Sequence, residues 1–149
     1  MINDNLKLRG DVAIVLKDKD GKVKESREIN NLVVDAGLTF ICSRMADVSS
    51  DVMSHMALGS STTATAGGQT DLVSILGVRE LLDSTTASSN TIVYVSSFEA
   101  GEGTGAVTEA GIFNAATAGT MLCRVVFPVV NKQADDTMSV TWTVTLSAS

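Results

Sequence analysis

The segment between Thr137 and Ser147 constrains the fold more than any other part of the chain. In Thr137-Met138-Ser139-Val140-Thr141-Trp142-Thr143-Val144-Thr145-Leu146-Ser147, every odd position is Ser or Thr and every even position is apolar. A period of two held over that length belongs to a strand with one face buried and the other in water. Trp142, flanked by Val140 and Val144, is expected at the centre of the core.

Other segments extend the pattern. Asp11 to Asp18 reads as a strand with Val12, Ile14 and Leu16 on one face. Lys19-Asp20-Gly21 supplies turn chemistry, since Asp-Gly tolerates positive φ, and Lys22 to Ile29 returns as the second arm of an exposed hairpin. Leu32-Val33-Val34 continues extended. Asp35 then reads as a helix N-cap, followed at helical spacing by Leu38, Ile41, Cys42 and Met45. These predict one short α-helix near 35–47, with Leu38 and Ile41 facing the core and Gly37 weakening the first turn.

Met53 to Leu58 reads as a short strand and Thr91 to Phe98 as a longer one. Gly59 to Thr70, rich in Gly, Ser, Thr and Ala, is expected to be a long loop, mobile unless a partner orders it. Leu72 to Leu82 fits helix or strand equally, and Asp83 to Asn90 reads as a polar connector. Seven or eight strands with one helix predict a mainly β fold. The expected form is a single antiparallel β-sandwich domain, jelly-roll-like, over 11–149, preceded by an N-terminal arm over 1–10.

A chain of 149 residues with 44% hydrophobic content can bury a core without staples. The net charge of −6 argues against nucleic acid as a partner, because phosphate contacts need a basic surface. Lys and Arg gather between Lys7 and Arg27, but Asp and Glu alternate with them, which describes a mixed-sign hairpin surface. Cys42 and Cys123 lack metal-site spacing and sit in apolar surroundings, so both read as buried free thiols. Met1-Ile2-Asn3-Asp4-Asn5 lacks the basic start of a signal peptide. No apolar run approaches the roughly 20 residues needed to cross a bilayer. A soluble protein made in the cytoplasm, with no membrane partner, is expected.

The residues that could carry chemistry do not assemble into a motif. The one histidine, His55, has Ser54 and Ser60 near it in sequence, but there is no Gly-x-Ser-x-Gly elbow and no set of zinc ligands. Asp18-Lys19-Asp20-Gly21 has the look of part of a calcium loop, yet alignment on its glycine puts Leu16 and Arg27 where oxygen ligands are required. Gly101-Glu102-Gly103-Thr104-Gly105 is followed by strand rather than helix, and Glu102 would repel a phosphate. Asp135-Asp136 and Glu99 with Glu102 read as solvated acids in turns. No enzyme, metal or cofactor is expected.

If 114–119 joins two antiparallel strands, the simplest register sets Phe113 opposite Thr120, Ile112 opposite Met121, and Glu109 opposite Arg124. The last would be a stabilising opposite-charge pair. One face of this hairpin carries Ile112, Met121, Cys123, Val125, Phe127 and Val129; the other carries Phe113, Leu122, Val126 and Val130. A sheet wet on one side would not be apolar on both. One face, with Phe127, is therefore expected to meet the core. The other should meet the helix or a neighbouring subunit, through Phe113 and Leu122. Ile2, Leu6 and Leu8 of the arm are further candidates for a subunit or shell contact; the other reading of the arm is a frayed terminus.

Thr108-Glu109-Ala110-Gly111-Ile112-Phe113-Asn114, Gly119 to Phe127, Asn131-Lys132 and Asp136 to Leu146 together resemble a family of tailed-phage virion structural proteins. Asn31 to Leu38 and Met56-Ala57-Leu58-Gly59 are similar to the same family. It includes small capsid decoration (cement) proteins and the sheet domains of tail-fibre and baseplate components. The resemblance implies a β-sandwich that assembles as a symmetric oligomer, a homotrimer, in the virion. One small acidic domain without fibrous repeats fits a cement protein on the outer capsid face at three-fold or quasi-three-fold sites. Its partner would be the major capsid protein or another virion structural protein. The alternative is a tail-fibre, adaptor or baseplate subunit. A carbohydrate-binding module would need exposed aromatics, whereas the one Trp and one Tyr sit in strand patterns.

Overall fold

A computed structural model describes residues 5–48 and 50–148. The strands are β1 (Leu6–Lys17), β2 (Val23–Val33), β3 (His55–Gly59), β4 (Ile75–Leu81), β5 (Ser84–Ser88), β6 (Thr91–Phe98), β7 (Gly105–Phe113), β8 (Met121–Lys132) and β9 (Thr137–Ala148). A single helix, α1 (Asp35–Met45), lies between β2 and β3. The strands run β4-β3-β7-β8-β2-β1-β9-β6-β5, all neighbours antiparallel, in one sheet curled into a half-barrel. Its narrowest seam is between β2 and β8, which pair only through Leu32 with Arg124 and Val33 with Cys123. β4 and β5 stand at opposite ends of this order yet are joined by Leu82 and Asp83. That connector bonds to both sides: Leu82 N–H donates to Ser54 O and Asp83 N–H to Val95 O.

The core lies inside the curl. Trp142, Val140 and Val144 of β9 are buried with Val12 and Ile14 of β1, Phe98 of β6 and Phe127 of β8. Alternation along β9 puts Ser139, Thr141 and Thr143 on the outer face, half-buried between their strand neighbours. β5 escapes a reading by periodicity because Ser84 to Ser88 are all exposed and all small or polar. β2 runs through Asn30 and Asn31 without a break.

Residues Leu6 to Gly10, expected in an arm, are the first half of β1, paired with β9 from Leu6 opposite Ala148 to Gly10 opposite Val144. Backbone pairing holds them where side-chain hydrophobicity could not. Leu6 is exposed and Leu8 half-buried against the core. Ile2 lies outside the described residues.

The helix docks on a face that shares only Ile41 with the expected one. Gly37 is its buried residue, and Phe40 and Ile41 pack on the core, so the contact runs along positions 37, 40 and 41. Leu38 is 42% exposed, Met45 points to solvent, and Cys42 is exposed rather than buried. The physical reason is at Gly37, where a Cβ would lie 2.1 Å from the carbonyl oxygen of Leu122. Only glycine lets the helix backbone come this close to β8, and that approach sets the buried stripe. Asp35 stands in the first turn instead of at the cap, which is Val34; its carboxylate still suits the positive end of the helix.

Candidate assembly surface

The β7–β8 hairpin carries the only buried Glu–Arg pair among the described residues. Its register departs from the simplest one at two bulges. Ile112 faces Cys123 while Phe113 faces Met121, which leaves Leu122 as an extra residue on β8. A second irregularity follows between Val107 and Glu109, across from Phe127, Pro128 and Val129. Pro128, which has no N–H to give a ladder, sits where pairing lapses. Glu109 therefore faces Val126 and Arg124 faces Gly111, so the charged residues meet diagonally on one face.

Both side chains are fully buried. Arg124 Nε donates to Glu109 Oε2 at 2.8 Å, and Nη2 lies 2.7 Å from the same oxygen without an aligned hydrogen bond. Nη1 donates to the carbonyl of Thr63 and to Gln69 Oε1. The other partners of the carboxylate are backbone: Ser61 N–H and Ser74 N–H donate to Oε1, and Val73 N–H to Oε2. Thr108 Oγ1 donates to Ser61 O. Gly59 leaves the space, since a Cβ there would come 2.4 Å from Oε1. The small-residue loop after Gly59 is thus held by the chain's own ion pair.

This loop and the helix start also cover the second apolar face of the hairpin. Phe113 is fully buried with Met121, Val34, Ala57 and Leu72. The guanidinium of Arg79 stacks 3.6 Å from the Phe113 ring centroid and donates to the carbonyls of Ala115 and Ala118. Leu122, 3% exposed, packs in the main core beside α1. Phe113 and Leu122 are therefore internal, and neither can line a subunit or capsid contact. The double-sided apolarity reflects a hairpin sandwiched inside one chain.

The exposed apolar surface lies elsewhere. β4 is an edge strand with β3 on one flank only, and Ile75, Val78 and Leu81 are exposed along it. Leu82 N–H bonds to Ser54 O, which ties the Leu81 end of β4 to the connector before β3, and along that connector Val52 and Val48 lead back to Met45 of α1. All three are exposed. The result is an apolar belt from β4 to the C-terminal end of the helix. It is held from beneath: Glu109 fixes Val73 and Ser74 at the entry to β4, and Arg79 fixes its middle. A bulge with Gly77 at φ +75° bends β4 and weakens it as a template for strand addition. An apolar cavity of about 300 Å³ meets the belt at Met45 and opens at the mouth of the half-barrel, lined also by Phe40, Ile41, Arg44, Ile92 and Tyr94.

The remaining polar residues are dispersed. Ser54 Oγ lies 2.8 Å from His55 Nδ1, and Glu80, whose pKa is raised first by burial and then by Glu102, is not hydrogen-bonded to that ring. Asp136 accepts from Lys24 Nζ and Gln133 N–H, which hold its carboxyl below the usual range. Lys132 donates to Glu99 O, and burial lowers its pKa. Burial pushes Tyr94 up to about 12 and raises the Cys123 thiol well above its ordinary value. Among the described residues no group of three His, Cys, Asp or Glu side chains could hold a metal ion, and no helix is long and apolar enough to cross a membrane. Comparison with protein-family models, with curated proteins and with solved structures finds no match to this chain.

Proposed function

We propose that this chain is a structural protein of a tailed-phage virion, a capsid decoration protein that binds the outer face of the shell and stabilises it. The observation that carries the proposal is the exposed apolar belt on β4 and the end of α1, held rigid by Glu109 and Arg79. Such a surface is built for docking rather than chemistry. The residues that resemble the virion family supply the assembly. A decoration protein acts by mass action: it binds the assembled lattice and not free subunits, so each bound copy favours the closed shell.

The oligomer in this reading is a homotrimer, and the mouth of the half-barrel, with Leu6 at β1's exposed start, is the surface left for copies of the chain. The two-pair seam between β2 and β8 supports reading the sheet as the two layers of a sandwich. Counting copies in purified particles tests the function. Hundreds per particle are expected of a decoration protein; a few dozen or fewer would move it to a tail fibre, adaptor or baseplate. Particles lacking the protein should release their genome at lower temperature, and unchanged release would overturn the stabilising role.

A further inference from the structure

The belt has a charge environment that selects among occupants. Met45, Val48, Val52, Ile75, Val78 and Leu81 are between 45 and 81% exposed. Together they present on the order of 600 Å² of apolar surface, a large part of the ~800 Å² that each side of a standard interface buries. Beside them in the chain stand Asp47, Asp51, Asp71 and Asp83, all exposed, with Arg44 as an exposed cation bonded to the Ser50 carbonyl, while Arg79 is turned inward onto Phe113 and the 115–118 turn and pairs with Asp71. The belt is an apolar strip whose rim is acidic on balance, four aspartates against the exposed Arg44.

A second copy of the chain is a poor occupant. It would bring the same aspartates, and most of its exposed cations already stand beside acids: Lys17, Lys19 and Lys22 among Asp18, Asp20 and Asp135, Arg9 against Asp11, and Lys24 against Asp136. The bulge at Gly77 also disfavours edge-to-edge pairing of two β4 strands.

We infer that the belt is the face that meets a different virion structural protein, and that the matching surface on that partner is apolar with a rim of Lys and Arg. This rests on the decoration reading and names the partner chemistry for it. Buried apolar contact supplies the affinity and the rim supplies orientation and encounter rate, so binding weakens as salt screens the rim.

The test uses shells stripped of the protein and incubated with purified full-length chain, with bound copies per shell measured against concentration and salt. Leu81→Asp and Val78→Asp place a charge in the belt at positions too exposed to disturb the fold, and each is expected to weaken binding at least tenfold. Asp51→Lys with Asp83→Lys should weaken it several-fold and flatten its salt dependence, whereas Thr86→Asp on the opposite sheet edge should leave it unchanged. Belt variants that bind as the wild type does, or affinity that rises with salt, would overturn the inference while leaving decoration intact. Belt variants that lose self-association instead of shell binding would make a second copy the occupant and equally overturn it. Wild-type chain that fails to bind the shells would remove the decoration reading and this inference with it.

Discussion

Glu109 shows how one side chain can organise a distant segment. Its carboxylate is buried, accepts three backbone N–H groups from the 61–74 segment and meets Arg124. A buried ion pair recovers its desolvation cost only when its remaining donors and acceptors are satisfied, and here the loop backbone satisfies them. Arg124→Met would strand the carboxylate without its counter-charge, at an expected cost of about 3–5 kcal/mol. Urea denaturation should show the midpoint falling with its slope unchanged, and the Ser74 amide should exchange faster. Adding Glu109→Gln to Arg124→Met should cost less than the two single changes summed, because both remove the same contact. Full additivity would mean the pair is not coupled.

Tyr94 offers a second test at this scale, because it is the chain's one tyrosine. Burial favours its neutral form and raises its pKa to about 12 in the folded state. The unfolded value is about 10, so the folded state holds the proton more tightly. Its contribution to stability is fully present below pH ~10 and is lost as pH rises toward 12. Phenolate absorbance should therefore titrate near pH 12 in the native protein and near 10 in denaturant. A native midpoint near 10 would place the ring in solvent.

Elements were legible in the sequence where periodicity survives contact with neighbours. β9 alternates without interruption, and Trp142, Val140 and Val144 are buried on one of its faces. The hairpin register was not legible, because the extra residue Leu122 and the lapse around Pro128 are properties of a bent strand and leave no mark on hydrophobic spacing. Glu109 and Arg124 nevertheless meet, since a diagonal pair on one face tolerates the shift. The helix lies where the spacing predicts it and Ile41 packs on the core as expected, but Leu38, Cys42 and Met45 of the same stripe are exposed. Gly37, Phe40 and Ile41 face the sheet, because closeness to β8 is decided by the residue with no side chain. Hydrophobic spacing does not show the apolar belt either, because Val52 precedes β3 while Val78 and Leu81 lie on β4, and the two segments are tied only through pairing and the Leu82–Ser54 bond.

Substitution at Gly37 should therefore run contrary to helix propensity. Gly37→Ala should favour the isolated helix by up to about 1 kcal/mol. In the folded chain the new methyl would strike the Leu122 carbonyl, and overpacking of this kind costs about 1–3 kcal/mol. The melting temperature is expected to fall. A rise would show that the helix does not rest on β8 through this residue.

At the scale of the molecule, the curl of the sheet has a cause in connectivity. Strand order puts β4 and β5 at opposite ends of nine strands, while the chain allows only Leu82 and Asp83 to pass between them. An open sheet of this width could lie much flatter, so this two-residue strap works as a drawstring. Lengthening it with four glycines between Leu82 and Asp83 would leave every strand pair able to form and remove the constraint on outline. Small-angle scattering should then report a larger radius of gyration with unchanged circular dichroism; an unchanged radius would assign the curl to side-chain packing alone. A drawstring also fixes curvature in advance of any encounter, and a body of fixed curvature can seat only where the surface beneath it bends to match. The protein would then gauge the shape of what it binds as well as its chemistry.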